Sequence, residues 1–594
     1  MKKNRPNQRL LIVLSLLIFL GVSCVQDQTN EDKSTTVNYK RTSNEVKAVL
    51  DRDPGSLNPI ISTSAIDRQI FEHLFSYLMV PDPQTLEYIP QLAKAKPEVK
   101  ETREGPFAGG VHFTFDIHDE AKWDDGTPIT GNDYIFTLKA VLNPGVNAPN
   151  ILPYVEFIGD AQVDPNNPKR IIVYTKEKYF LAEEAVVYAF PILPAHIYDA
   201  DDVLSNYSLS DFLDVDKAQS VFDSDEALQR FADTFTKDFN REPSKISGSG
   251  PYRLVSWEDN QRIRLAKKEN YWGNNLAAKY SALTAYPDEL VFEIVLDAAG
   301  TTSLLKSEEV DVVSNFNATQ FADFEQDESF KETYELHEPS SLVHYFLYLN
   351  ACIPKLQDKR VRRALAHLVD VETLTDVIFN GNGTRLSGPV HPDAEFYNKD
   401  LPIISYSPEE AQKIFAEAGW EDSNGNGIVD KEMDGELVEM RINYLMRAGN
   451  ERSRNIGELL IQSMKAGGVE VVLEPIETSL ILDRVKRKDY EMSTGGRGFA
   501  VPLWDPKQNW HTEGDNRMCF GDARSDEIID EIRVTFDTEK RNELYKELQA
   551  IIYEEQPLIF LFILNNLMIT HKRFDMETTG ITPGYKPNRF KLNI

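Results

Sequence analysis

The sequence is poor in cysteine and lacks the short motifs of the common enzyme chemistries. It holds 3 cysteines in 594 residues, and no two of them stand as Cys-x-x-Cys. No glycine precedes a lysine, which excludes a P-loop, and neither His-Glu-x-x-His nor Gly-x-Ser-x-Gly occurs. The 10 histidines never show the i, i+4 spacing that puts two metal ligands on one helical face. We therefore predict that the protein is not an enzyme and requires no cofactor.

Positive charge is also scarce. The chain has 64 Lys and Arg against 95 Asp and Glu, a formal net charge of −31 at pH 7. A protein that binds nucleic acid needs a basic face to neutralise phosphates, and adhesion to an anionic lipid surface needs one as well. The charge balance argues against both partners, and it is sufficient to keep a large exported protein soluble.

Long apolar runs are absent. Residues 10–20 are apolar but much shorter than the roughly 20 residues of a spanning helix. They follow a basic segment and precede Gly21-Val22-Ser23-Cys24, an order that predicts a secretory signal over residues 1–23. The position of Cys24 resembles a bacterial lipoprotein signal, in which this cysteine is acylated, although Gly21 stands where leucine is usual. We expect a lipid anchor at Cys24, with plain secretion as the alternative.

Residues 24–43 are polar and predict a flexible tether between the anchor and the folded body. The other two cysteines, Cys352 and Cys519, could pair in an oxidising compartment. The sequence does not give the distance between them, so it leaves a disulfide open.

Beyond the tether, helix and strand signals alternate without an internal repeat. Residues 45–50 read as a strand, and apolar residues every four positions from Ile66 to Leu78 predict an amphipathic helix. Thr130, Ser407 and Asp537 stand where helix caps are expected. Because single cores stop growing near about 250–300 residues, we expect two or three folded units of mixed α/β class.

Several short motifs follow one another between residues 53 and 420. They are Asp53-Pro54 with Leu57-Asn58-Pro59, Ala121-Lys122-Trp123-Asp124-Asp125-Gly126-Thr127-Pro128, Gly248-Ser249-Gly250-Pro251-Tyr252, Glu269-Asn270-Tyr271-Trp272-Gly273, Asp358-Lys359-Arg360-Val361-Arg362-Arg363-Ala364-Leu365 and Ala416-Glu417-Ala418-Gly419-Trp420. Each motif alone is weak, but their order resembles that of the family 5 extracellular solute-binding proteins. These are receptors of ABC importers that bind peptides, nickel chelates and some sugars.

The resemblance implies an α/β, two-lobed fold of the periplasmic-binding-protein type (type II, cluster C) with a third domain. Mixed sheets are flanked by helices, and the ligand cleft is hinged. One lobe would combine residues 44–88, 197–335 and 556–594, an accessory domain would cover 89–196, and the other lobe 336–555. The hinges would then lie near residues 335 and 555.

The resemblance also implies partners and a location. We expect a monomer that captures a small solute, most often a peptide, and delivers it to permease and ATPase subunits encoded elsewhere. It would be held by its lipid outside the cytoplasmic membrane or in an outer membrane facing the periplasm.

In peptide-binding relatives the ligand lies as an added strand between a segment of each lobe. The matching segments here imply contacts from Ser62, Thr63 and Ser64 on one side, and from Gly496, Arg497 and Phe499 on the other. We interpret the glycines as room for close backbone approach.

The residue that holds the peptide amine in such relatives is an Asp, and the corresponding position falls near Pro502. Asp505 is a possible substitute. Arg497 would meet a carboxylate, Trp504 and Trp510 would wall an apolar pocket, and His511 is a weaker candidate. We expect that replacing Trp504 or Arg497 by alanine weakens ligand binding with little loss of folding.

The segment from Asp422 to Asp430 resembles a calcium loop. Asp422, Asn424, Asn426, the backbone carbonyl of Ile428 and Asp430 offer alternating oxygen ligands, and Gly427 permits the sharp turn. Position 12 is Met433 instead of the bidentate Glu. A structural Ca²⁺ and a metal-free turn remain alternatives.

Other functions stay open at this stage. A receptor for a glycan or metal chelate, and a sensory lipoprotein, would use the same fold. A hydrolase on this scaffold has no support from any motif.

Overall fold

Three large sheets carry most strands of the computed structural model, which describes residues 40–499 and 503–593. The predicted signal, Cys24 and nearly all of the predicted tether lie outside the described residues. Within the described part of the chain, no helix combines the length and apolarity that crossing a bilayer requires.

The first sheet has seven strands. In spatial order they are Tyr334–His337, Met568–His571, Val312–Val313, Glu45–Leu50, Glu289–Ile294, Arg262–Lys267 and Tyr252–Glu258. The strand Glu45–Leu50 pairs in parallel with both of its neighbours, and the other pairs are antiparallel. This sheet is therefore mixed.

The second sheet has six strands and the third has four. The six-stranded sheet has the order Thr384–Arg385, Leu558–Asn565, Ser340–Leu349, Met492–Gly498, Arg441–Arg447 and Glu470–Ile476. The four-stranded sheet has the order Glu98–Glu101, Val111–Asp116, Asn167–Thr175 and Ile158–Asp164. Small hairpins or ladders pair Met79–Pro81 with Tyr88–Pro90, Asp430–Met433 with Glu436–Glu439, and Phe574–Asp575 with Lys591–Leu592.

Helices surround these sheets. They are Ala65–Phe71, Gly131–Leu142, Leu152–Val155, Ala182–Tyr188, Ala195–Tyr198, Val215–Ser224, Glu226–Asp238, Ala298–Lys306, Ala318–Glu325, Glu328–Thr333, Lys359–His367, Val371–Thr373, Leu374–Ile378 (a π turn), Pro408–Glu417, Glu451–Lys465, Thr478–Lys486, Lys507–Trp510, Ala523–Val534 and Thr538–Glu555. Short 3₁₀ turns lie at Val203–Asn206, Leu209–Asp211, Ser281–Leu283, Pro354–Leu356 and Pro587–Arg589. Mixed sheets flanked by helices confirm the predicted α/β class.

The three predicted helix caps form. Thr130 accepts from the backbone of the first turn while Asp133 bonds back to it, and Ser407 and Asp537 cap their helices through side-chain oxygens. The helix predicted through Leu78 was too long, because it ends at Phe71. The carbonyls of His73 and Leu74 instead accept the N–H groups of Tyr252 and Gly250, so tertiary bonds replace the helical ones.

The chain crosses between the seven- and six-stranded sheets along one ribbon. Tyr334–His337 continues into Ser340–Leu349, and Leu558–Asn565 continues into Met568–His571, each pair antiparallel to the other. Residues 556–565 were predicted in the first lobe, but Leu558–Asn565 lies inside the six-stranded sheet. The second crossing is therefore at Asn566, where its N–H donates to the carbonyl of Pro339 (2.8 Å). The remaining domain boundaries stay a prediction.

A buried ion pair joins distant parts of the seven-stranded sheet. Both Arg573 and Asp311 have fully inaccessible side chains, with Nε to Oδ1 at 2.7 Å. Arg573 also donates to the carbonyls of Ser43 and Glu45, while Asp311 accepts the N–H of Lys47. Since each remaining polar atom of the pair has a partner, its burial is tolerated.

The open question about the two cysteines has an answer in the structure. Cys352 and Cys519 form a disulfide, with Cα atoms 5.6 Å apart across 167 residues of sequence. A bridge of this kind is typical of proteins that fold in an oxidising compartment.

Candidate functional site

A cavity of about 580 Å³ is lined by residues from 153–184, which include two strands of the four-stranded sheet, and by residues from 344–533, which include most strands of the six-stranded sheet. We call these two stretches the four-stranded-sheet region and the six-stranded-sheet region. The cavity wall combines apolar and charged side chains: Pro153, Tyr154, Glu156, Tyr179, Leu181, Glu184, His344, Pro389, Val390, His391, Ala394, Phe396, Arg497, Gly498, Phe499, Leu503, Trp504, Asp505, Lys507, Gln508, Asn509, Trp510, Glu513, Gly514 and Arg533. The structure therefore brings together Arg497, Phe499, Trp504, Asp505 and Trp510 from the predicted site.

One strand supplies part of the wall. Met492–Gly498 pairs along its length with Ser340–Leu349, but on its other side only Met492 and Ser493 pair with Arg441–Arg447. Within the described residues, no strand covers the far edge of residues 495–498. At Arg497 and Gly498, which line the cavity, this edge can present backbone groups to an added strand.

The glycines in this strand have a local cause. A Cβ atom on Gly495 would lie 2.4 Å from the ring of Phe346, and one on Gly496 would lie 3.1 Å from that of Tyr345. Cross-strand aromatic rings thus account for both glycines without a ligand, contrary to our interpretation from the sequence. Gly496 does not line the cavity.

Arg497 faces the cavity beside His344, its cross-strand partner. Its Nη2 atom is 3.4 Å from the hydroxyl of Tyr348, and burial lowers the pKa of the guanidinium. Among the described side chains, no carboxylate comes within ion-pairing distance of Arg497. A desolvated guanidinium without an anion favours a ligand that supplies one.

Two histidines flank Phe499 at the same wall. Ring centroids of His344 and His391 lie 4.4 and 5.0 Å from that of Phe499. Burial lowers the pKa of both imidazoles, that of His344 to about 3. The Nδ1 atom of His391 accepts the N–H of Asp393 (3.2 Å), so the neutral ring carries its proton on Nε2. This buried Nε2–H has no acceptor within the described part of the chain.

Acidic side chains also belong to the cavity wall. Glu156 and Glu184 line it, and burial raises the pKa of Glu184 to about 7, opposed by the neighbouring hydroxyl of Tyr88. A cation brought against Glu184 would lower that pKa and favour the ionised carboxylate. The cavity thus has a donor-rich pole at Arg497 and His391 and an acidic pole at Glu184.

Both tryptophans belong to the wall and to the core. Trp504 is 8% exposed and stacks on Tyr545 at 5.7 Å, while Trp510 is 2% exposed and meets Phe520 edge-on. His511 is buried outside the cavity wall, 3.7 and 3.6 Å from the carboxylates of Asp526 and Asp530. Its role as a ligand contact stays a prediction.

The serines predicted from the first lobe do not reach this cavity. Ser64 caps the helix Ala65–Phe71, and the hydroxyl of Ser62 donates to Asp67 at 2.7 Å. Thr63 lies between them, exposed. These contacts stabilise the start of a helix. In place of residues 62–64, the cavity wall contains residues from 153–184.

Asp505 lines the cavity, but its carboxylate already has partners. It accepts from the hydroxyl of Tyr179 (2.6 Å), Nε of Arg533 (3.1 Å) and the N–H of Lys507 (2.9 Å). Pro502, at the position of the missing Asp, lies outside the described residues.

The predicted calcium loop is closed by its own hydrogen bonds. Asp422 accepts from the N–H groups of Asn426 and Gly427, Asn426 accepts from that of Ile428, and Asp430 accepts from the hydroxyl of Ser423. Asn424 and Asn426 both donate side-chain bonds to Glu439. Across residues 40–499 and 503–593, no group of three or more His, Cys, Asp or Glu side chains is arranged to hold a metal.

Comparison with known proteins assigns the chain to a family. The model of the bacterial extracellular solute-binding proteins, family 5 (middle), matches residues 87–517. The chain belongs to this family. The match covers the four-stranded sheet and most of the cavity wall.

Individual relatives are more distant. The chain is 23% identical to the oligopeptide-binding protein AppA of Bacillus subtilis over 100% of this chain and 99% of that protein. It is 24% identical to the dipeptide-binding protein of Escherichia coli, over 86% and 87% of the two chains. The structure of B. subtilis AppA with a nonapeptide superposes with a TM-score of 0.71 at 22% identity, covering 93% of this chain and 100% of that one.

The structure of NikA from Brucella suis in complex with Fe(III)-EDTA is also similar. It superposes with a TM-score of 0.73 at 18% identity, covering 92% of this chain and 100% of that one. These likenesses establish the shared fold, which confirms the family and architecture predicted from the motifs.

Sequence reasoning missed most of the wall, including five residues with polar side chains that matter to the site: Tyr179, Glu184, His344, His391 and Arg533. Only His344 left a usable signal, because it sits in a strand that pairs with the predicted segment around Arg497. The others come from loops and helix ends whose meeting depends on the whole fold.

Substitutions of the two residues singled out from the sequence should now affect stability differently. Trp504→Ala removes a stacked, buried ring and should lower the free energy of unfolding by about 3–5 kcal/mol. Arg497→Gln removes a desolvated charge without a counterion and should leave that free energy within about 1 kcal/mol of the wild-type value. Urea unfolding of both variants measures this, and equal midpoints for Trp504→Ala and the wild type would contradict the packing role of Trp504.

Proposed function

We propose that the protein is the substrate-binding receptor of an ABC importer and that its solute is a peptide. The uncovered strand edge at residues 495–498 is the observation that carries this proposal. An extended peptide can add to such an edge, so that main-chain bonds give affinity for many sequences. The relatives named for oligopeptides and dipeptides support the same ligand class.

The charges of the cavity suit a zwitterion. Arg497 and the Nε2–H of His391 offer donors for a carboxylate, and Glu184 offers an acidic partner for an amine. His391 is a donor in this arrangement, which fits a carboxylate or carbonyl oxygen better than a metal ion that needs its lone pair. A peptide presents these groups at its two ends.

In the cell, the receptor would be exported, held outside the cytoplasmic membrane or in an outer membrane by lipid at Cys24, and would act as a monomer. Permease and ATPase subunits from other chains would receive the solute. Closing around the ligand and opening at the permease would use the ribbon between the sheets as a hinge.

Ligand chemistry is tested by native mass spectrometry. The wild-type protein is incubated with an equimolar tripeptide library and, separately, with the same library amidated at its C terminus. A charge-assisted hydrogen bond contributes about 1.5–3 kcal/mol, so the free-acid library should bind about 10-fold or more tightly. Arg497→Gln should lose this preference, while Arg170→Gln, which removes an arginine paired with Asp116 elsewhere, should keep it.

Ligand retained on the purified protein gives an independent result. Peptides in that fraction, and loss of their uptake in cells without this gene, are expected. A retained glycan or metal chelate, or an unchanged free-acid preference in Arg497→Gln, would contradict the proposed peptide site.

Lipid attachment is tested by metabolic labelling with palmitate. Label should appear on the wild-type protein and disappear in Cys24→Ala, because the acylated atom is the thiol of that cysteine. A matched control, Cys352→Ser with Cys519→Ser, should keep the label. Label that persists in Cys24→Ala would refute the anchor and leave secretion.

Structural calcium at the Asp422 loop remains a second proposal. Its carboxylate and amide oxygens are of the type that Ca²⁺ prefers. Calcium at about a hundredfold excess over its Kd should raise the melting temperature by about 2 °C relative to a chelator. Asp422→Asn should remove that rise, and identical melting with calcium and chelator would refute the site.

A further inference from the structure

We propose that Tyr179, Asp505 and Arg533 form a clasp that holds the cavity closed. The clasp joins the four-stranded-sheet region to the six-stranded-sheet region from opposite sides of the cleft. In this role Asp505 serves closure for every ligand alike and does not select the ligand's amine. The proposal rests on the proposed function only in assuming that the cleft opens to admit a solute.

The contact is short and directional. The carboxylate of Asp505 accepts from the Tyr179 hydroxyl at 2.6 Å and from Nε of Arg533 at 3.1 Å. The Arg533 guanidinium also lies 4.8 Å from the centre of the Tyr179 ring. The side chains of Arg533 and Asp505 are 20% and 18% exposed, so water weakens their attraction less than at an open surface.

A backbone hydrogen bond joins the same two segments at the next residue, Phe180. The N–H of Phe180 donates to the carbonyl of Arg533 at 2.9 Å, and the guanidinium of Arg541 lies 5.2 Å from the Phe180 ring. Four separate interactions thus converge on residues 179–180.

The position of the contact makes it a clasp. Tyr179 and Phe180 follow the strand Asn167–Thr175, while Asp505 and Arg533 belong to the six-stranded-sheet region. The covalent crossings of the chain lie elsewhere, near Pro339 and Asn566. Residues 179–180 therefore meet Arg533 only when the two regions are together, and all three clasp side chains line the cavity.

The arrangement also reassigns Asp505. Its negative charge faces the cation Arg533, and its oxygens accept three hydrogen bonds, from Tyr179, Arg533 and Lys507. The guanidinium of Arg533 already neutralises the carboxylate of Asp505. The amine of a ligand would have to displace that guanidinium to bind there. The donor-rich pole at Arg497 keeps no such internal partner, so the two charged groups have different roles.

Hydrogen exchange at the Phe180 amide reports the clasp without any ligand. In the full chain, Asp505→Asn and Tyr179→Phe should each speed exchange of that amide by about 10-fold or more, since a charge-assisted bond is lost. Tyr207→Phe is the matched control, because Tyr207 also donates to an aspartate, Asp225, but on one side of the cleft. It should leave exchange at Phe180 unchanged.

Amides of the paired strand Glu45–Leu50 show whether a variant still folds. Unchanged protection there with faster exchange at Phe180 supports the clasp. Unchanged exchange at Phe180 in both Asp505→Asn and Tyr179→Phe would overturn it. If Asp505→Asn loses protection in Glu45–Leu50 as well, Tyr179→Phe, which keeps every charge, decides alone.

A second measurement separates closure from amine recognition. Asp505→Asn should weaken binding of a tripeptide library and of the same library N-acetylated by the same factor. A loss confined to the free-amine library would overturn the clasp and leave peptide binding intact. Failure of the wild type to bind any tripeptide would instead contradict the proposed function, with the exchange result still valid.

Discussion

The two chain crossings run side by side, and the rest of the molecule depends on this. Residues 334–349 and 558–571 form one antiparallel ribbon that enters the seven-stranded sheet at one end and the six-stranded sheet at the other. Asn566 holds the change of sheet in place by donating to Pro339 and Pro583 and accepting from Asn315. Because a two-stranded ribbon bends more easily than a sheet shears, the regions at its ends can move as units. A cleft between them then follows from the topology.

On the side of the cleft away from the two chain crossings, only noncovalent contacts can hold the regions together. The buried charged groups of the molecule divide into two kinds. The clasp and the Arg573–Asp311 pair are internally satisfied, since each charge faces an opposite charge and further hydrogen bonds. Arg497 donates to the hydroxyl of Tyr348 but has no described carboxylate within ion-pairing distance, and the Nε2–H of His391 has no described acceptor. A buried polar group that lacks a hydrogen-bond partner costs folding free energy. Where such a group lines a cavity, a ligand can supply the missing partner, which makes Arg497 and His391 candidates for ligand contacts.

Local signals in the sequence were sufficient for much of the fold. Caps at Thr130, Ser407 and Asp537 formed because a side-chain oxygen and the next turn's N–H groups are neighbours in sequence. The ordered motifs identified the family although several of them shape a corner away from the cavity, where Trp272 donates to the carbonyl of Ser249 and Lys268 pairs with Asp124.

The features that the sequence analysis missed depend on contacts between residues far apart in the chain. The helix end at Phe71 and the pairing of Leu558–Asn565 depend on partners about 175 to 225 residues away along the chain, which local propensity does not reveal. The same limit applies to the site: the hydrogen bonds of Ser62 and Ser64 serve the start of a helix, and Glu184 and His391 belong to no motif. The ligand contacts themselves stay a prediction.

The overall acidity and the local poles of the cavity act on different scales. A net charge of −31 produces a field over the surface, but at physiological ionic strength it is screened beyond about 8 Å. A ligand inside the cleft therefore responds mainly to groups in the wall, which are cationic at Arg497 and acidic at Glu184. A polyanion is repelled by the acidic pole as well as by the surface. A polycation is attracted by the surface but repelled by Arg497. A zwitterion of matching length satisfies both poles and carries no net charge through the surrounding field, so the proposed peptide is the ligand class for which surface and cavity do not oppose each other.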